Sequence, residues 1–327
     1  MKAGESKRIS TESIRSPCWF VVAIFLLSPL SLAAHSDSDP ARPHNLRELV
    51  GAWEFDLPII IPLFLSLWFY FVGVARLWEQ THIGGGIRRV EIGCFLGGWL
   101  ALFIALVSPL HPWGRVLFSA HMSQHEILML LAAPLLVLSR PLLAFLKALP
   151  ARRARHLAAA AHNPSWQPFW KFITNAFVAW LIHAIALWIW HVPALFNATI
   201  DNDLVHSLQH VSFLGSALLF WWAIIHGPRR AMSYGVAVLY MFTTAMHSGL
   251  LGALLSYTTT PWYPAYANTT QSWGLTPIED QQLGGLIMWV PAGLIYVFAA
   301  LILMVAWMRD SERRVIAREA QPMALRP

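Results

Sequence analysis

Two histidine pairs, His121/His125 and His206/His210, stand four residues apart near the starts of long apolar segments. A spacing of four puts both rings of a pair on one helix face, one turn apart, where neutral imidazoles can converge on a single ion. Two nitrogens from one helix and others from facing helices would supply the three or four donors that Cu, Zn, Fe or Ni accepts. His191 and His247 extend this candidate ligand set, and His183, Met122 and Met288 are further donors; thioether beside imidazole suits Cu(I). Asp280 opens the last apolar segment, where a carboxylate either caps a helix or draws a cation to the mouth of a site. Glu126, next to His125, reads as an outer partner of an imidazole or an interhelical hydrogen bond. The chain has only two cysteines, Cys18 and Cys94, so neither a disulfide framework nor a Cys-x-x-Cys metal site is available.

The elements that must position these groups are membrane spans. Of 327 residues, 57% are hydrophobic and 12% charged, too apolar for one soluble core and too poor in charge for an ordinary solvated surface. Spanning a bilayer takes about 20 apolar residues per helix. Seven stretches qualify: 57–78, 90–108, 117–138, 172–193, 206–225, 232–257 and 283–307. A shorter apolar run at 18–32 follows Lys2, Lys7, Arg8 and Arg15 and ends in small residues, so residues 1–34 read as a secretory signal, or else as a retained extra helix. Residues 35–56 form a Pro/Ser/Asp-containing extension and residues 308–327 a basic tail.

Arginine and lysine fall in alternate loops. Arg76, Arg88 and Arg89 lie in the first, Arg140 to Lys171 in the third, Arg229 and Arg230 in the fifth, and five arginines in the tail. By the positive-inside rule these loops are cytoplasmic, which gives seven spans with the mature amino terminus outside and the carboxyl terminus inside. The net charge of +6 is then a topology signal and a lipid-headgroup contact, not a nucleic-acid site. At 1.5 Å per residue the two pairs lie within roughly the outer 12 Å, with His191 at roughly 3 Å and His183 and His247 at roughly 15 Å. Ionisable groups at such depths are costly and face a partner or a cavity.

The chain resembles the polytopic CtaG-type assembly factors of caa-type cytochrome c oxidases. The likeness is carried by His121-Met-Ser-Gln-His125, Pro134-Leu-Leu-Val-Leu-Ser-Arg-Pro141, His191-Val-Pro193, His206-Ser-Leu-Gln-His210, Phe220-Trp-Trp222 and Pro261-Trp-Tyr-Pro-Ala-Tyr-Ala267. It is strongest in the ungapped run from Gly274 to Pro291, and it covers residues 57–307. Glu126 stands where an apolar residue is expected. The resemblance implies a seven-span plasma-membrane protein needed to make an active haem-copper oxidase, through copper supply to the catalytic subunit.

The expectation is therefore an all-α, seven-helix transmembrane bundle in a bacterial inner membrane, not an enzyme, holding copper among outer-leaflet histidines and partnering cytochrome c oxidase subunits. Two other readings stay open. The pairs could ligate haem in a membrane electron carrier, or a metal-free scaffold could grip a folding oxidase subunit through its polar outer cluster.

Overall fold

The structure is a computed structural model that describes residues 43–161, 163–227 and 232–319, and its regular elements are all helical. The signal-like residues 1–34 lie outside the described residues, as does the end of the tail. In chain order the helices are α1 (Leu46–Gly51), α2 (Leu57–Gln80), α3 (Arg89–Val107), α4 (Leu110–Gly114), α5 (Phe118–Leu138), α6 (Pro141–Ala148), α7 (Ala151–Ala161), α8 (Gln167–Ile173), α9 (Ala176–Trp190), α10 (Pro193–Asp201), α11 (Asp203–Ile225), α12 (Tyr234–Tyr257) and α13 (Pro277–Glu319).

Six of these, α2, α3, α5, α11, α12 and α13, are long and apolar enough to cross a membrane. The segment expected at 172–193 is broken. Helices α8 and α9 meet at a bend of 64° and make a seventh span only when counted together. The cause is local: the Thr174 hydroxyl bonds back to the Trp170 carbonyl, and the Asn175 side chain accepts from the amides of Phe177 and Val178. Both side chains offer the backbone partners outside a continuous helix, so one helix ends and the next is capped.

Helices α5 and α11 run through the middle, packed on each other; α3, α4 and α13 surround α5, while α9 and α10 flank α11. Helix α3 approaches α5 at Gly97 and Gly98, where an added Cβ would meet Leu135 and Leu136. Gly93, one turn before Gly97 on the same helix, faces open space. The third loop is partly ordered into α6, which packs against α2 where Gly73 leaves room for the Ala144 carbonyl. The Tyr70 hydroxyl ties this corner to the Ser139 carbonyl at 3.1 Å. Helix α13 continues well past residue 307, so the beginning of the expected tail is helical.

The middle of α5 is not regular. Residues Ile127–Ala132 form a π-helical turn, in which each backbone bond spans one residue more than in an α-helix. The Trp221 indole of α11 donates to the Met129 carbonyl at 2.9 Å. Pro134, which has no N–H to give, follows at the start of the next regular turn.

Candidate metal centre

The amino end of α5 is fixed from another helix. Asp280 of α13 accepts from the Phe118 amide at 2.6 Å, the Ser119 amide at 3.1 Å and the Ser119 hydroxyl at 2.5 Å. The carboxylate expected at the mouth of the site is thus engaged in capping α5, satisfying amides that have no partner within their own helix. Asn202 caps α11 in the same way through the amides of Leu204 and Val205. These two caps set the axial positions of the two histidine pairs.

The pairs face each other. Ring centroids are 4.4 Å apart for His121–His125 and 4.3 Å for His206–His210. Across the helices they are 5.0 Å apart for His121–His206 and 5.4 Å for His125–His210. A fifth imidazole, His111 of α4, stacks on His206 at 5.1 Å and meets His210 edge-on at 5.8 Å. His111 is absent from the sequence-based ligand set because it belongs to no pair and no span. The available signal was topological, since the short turn holding it joins the carboxyl end of α3 to the amino end of α5.

All five rings are buried. Two triads, His111/His206/His210 and His121/His125/His210, each bring one nitrogen per ring within 4.8 Å of the others. A tetrahedral ion with nitrogens at about 2.0–2.1 Å needs them roughly 3.3 Å apart. Small ring rotations and side-chain shifts cover that difference. Both ring nitrogens of His125, Nε2 of His206 and Nε2 of His210 are buried without a hydrogen-bond partner among the described residues. An unsatisfied buried polar atom costs about 1–3 kcal/mol, so orphaned nitrogens on three neighbouring rings mark a place built to receive a polar ligand. Neutral imidazole nitrogens are the donor chemistry for copper or zinc.

The surrounding groups orient the rings. His121 Nδ1 lies 3.2 Å from the Tyr266 hydroxyl, which donates to the Gly114 carbonyl at 2.8 Å. Its Nε2 lies 3.1 Å from the Gln209 amide oxygen, so both ring nitrogens of His121 are engaged, and an ion reaches Nε2 only when the Gln209 amide turns aside. His111 differs. Its Nδ1 accepts from the Gln124 amide at 2.8 Å, which leaves the proton on Nε2, 3.4 Å from Glu54. Burial, with the Arg115 guanidinium nearby, pushes the His111 pKa down to about 3, so the ring is neutral at physiological pH. Arg115 pairs with Asp203 at 2.8 Å, which offsets its positive charge beside the cluster.

The other candidates are placed elsewhere. His191 gives its Nδ1 proton to the Leu187 carbonyl at 2.6 Å and turns Nε2 to the Met122 sulfur at 3.4 Å. This imidazole and thioether pair is set apart by Phe196 and Phe213, which touch both His191 and the α5 histidines. His183 bonds to Ser216 at 3.0 Å. His247 packs edge-on against Trp180 at 5.5 Å, between α9 and α12. Met288 lies in the apolar core. Glu126 is buried on α5 with Oε2 unpartnered.

These features define an all-helical polytopic membrane protein with an imidazole cluster at one end of its bundle. Residues 68–310 match the cytochrome c oxidase caa3 assembly factor family (Caa3_CtaG), and the chain belongs to that family. It is similar to the uncharacterized protein Mb0105 of Mycobacterium bovis, 26% identical over 284 residues, covering 85% of this chain and 42% of that protein. It is likewise similar to the uncharacterized protein ML1998 of Mycobacterium leprae, 27% identical over 294 residues with the same coverage. The chain thus spans less than half the length of these curated relatives. No solved structure matches it.

Proposed function

We propose that the chain assists assembly of a haem-copper cytochrome c oxidase by holding a copper ion as cargo among His121, His125, His206 and His210 and passing it to the oxidase in the membrane. The observation that carries this reading is the set of unpartnered buried nitrogens on facing histidines, in a member of an oxidase assembly family. Imidazole ligands suit a carrier better than a closed thiolate cage, because cargo must load firmly and still exchange. The alternating arginine loops support a periplasmic cluster in a bacterial inner membrane. His191 and Met122 supply a softer donor pair one helix face away, suited to Cu(I) on the way out.

The test is metal analysis of the chain purified in mild detergent, with a visible spectrum, beside a variant carrying alanine at His121, His125, His206 and His210. About one copper per chain, lost in the variant, is the expected result. Equal metal in both proteins removes the proposed ligand shell. A Soret band would select the haem-carrying alternative, and normal oxidase maturation with the four-alanine variant would select the metal-free scaffold.

A further inference from the structure

The five histidines divide into two overlapping triads, and the residues differ between them in a way that assigns an order. His210 belongs to both. The outer triad adds His111, from the turn before α5, and His206, one turn into α11; the inner triad adds His121 and His125, the latter two turns into α5. Glu54 stands at the outer triad, 3.4 Å from His111 Nε2, with its side chain 22% exposed. The inner triad is walled by Phe196 and Phe213 against His121 and His125.

The ring partners also differ. His125 and His210 have buried Nε2 atoms with no partner, while His121 Nε2 lies 3.1 Å from the Gln209 amide oxygen, which must turn aside to admit an ion. At His111, Gln124 donates to Nδ1 and the proton faces Glu54 on Nε2. Binding there through Nε2 requires the ring proton to move to Nδ1 and Gln124 to turn its unpartnered Oε1 toward it. The outer triad, with its carboxylate and partial exposure, is the accessible side, and the inner triad, closed off by Phe196 and Phe213, is the enclosed one.

Resting on the copper-carrier reading, we propose that the cluster is a two-position relay for one ion: His111, His206 and His210 with Glu54 form an entry position, His121, His125 and His210 form the resting position, and the ion moves between them by exchanging ligands around the shared His210. Both positions need His210, so occupancy is one ion per chain.

The experiment loads the detergent-purified full chain with Cu(I) alone, then measures stoichiometry and the rate of copper loss to an excess of a Cu(I) chelator. Wild type, His111→Gln, Glu54→Gln and His125→Ala are compared, each checked for an unchanged thermal unfolding midpoint. The relay predicts one copper per chain in wild type and in both entry variants, with exchange slowed at least about tenfold in each, the scale on which loss of a shell partner acts. His125→Ala should instead weaken retention. Glu54→Gln leaves every imidazole intact, so it serves if His111→Gln unfolds. Unchanged exchange rates in the entry variants, two copper ions per wild-type chain, or equal loss of copper in His111→Gln and His125→Ala would each overturn the relay while leaving the carrier reading in place. Failure of wild type to retain more copper than the four-alanine variant overturns both.

Discussion

Helices α5 and α11 bury 61% of the residues in their most apolar windows, whereas α13 buries 17%. The two central helices carry His121, His125, Gln124, Glu126, His206, Gln209 and His210. Helix α13, by contrast, exposes Leu294, Phe298, Leu301 and Ile302. In water the most apolar element would be innermost. In a bilayer the hydrocarbon is itself the apolar solvent, so polar side chains gain most by turning inward and aliphatic ones lose little by facing out. The comparison teaches that in this fold the least apolar spans are the ones to search for chemistry.

That contrast can be broken by substitutions in each region. The largest effect is expected for Phe213→Ala, a fully buried ring 4.6 Å from His125. It should cost about 3 kcal/mol, the low end for a buried phenylalanine, because lipid takes up part of the transfer term; thermal unfolding in detergent would show it. Asp280→Ala comes next. Removing the acceptor of three hydrogen bonds from the start of α5 should lower stability by about 1–3 kcal/mol, and Asp280→Asn should recover part of it in the same assay. Tyr266→Phe should lower stability by no more than Asp280→Ala does, since it leaves the buried Gly114 carbonyl without this donor. It frees His121 Nδ1 and should weaken copper binding about 10- to 100-fold, read by chelator competition. The smallest effect belongs to the lipid-facing surface: Leu294→Ala, at a residue 67% exposed, should shift stability by less than about 0.5 kcal/mol. A loss from Leu294→Ala as large as that from Phe213→Ala would show that α13 has a protein partner where lipid is expected.

Spans and pairs were legible because each rests on a periodic or compositional signal. Long apolar runs mark the spans, and a four-residue interval is enough to align His121 with His125 and His206 with His210. What escaped depended on direction or on contacts across the chain. Depth alone ranked His247 with the cluster, but depth says nothing about which side of α12 it occupies, and its ring faces Trp180. Asp280 reads as a cap for its own helix, yet it caps α5, far away in sequence. His111 had neither span nor spacing to draw notice. The break at Thr174 and Asn175 lay in plain sight as two helix-interrupting side chains, outweighed by the apolar residues on either side.

The π-helical turn at Ile127–Ala132 gives α5 one residue more than a regular helix of the same end-to-end orientation would hold. Upstream of it lies the imidazole face, and downstream lies the Pro134 segment packed on α3 and α11. Excising a single residue inside the turn would let the helix close into ordinary geometry with both faces still aimed at their neighbours. Excising one between His121 and His125 would instead turn the two rings about 100° relative to each other. The span thus carries its own slack, at the one place where a change in length leaves the aim of its histidines intact.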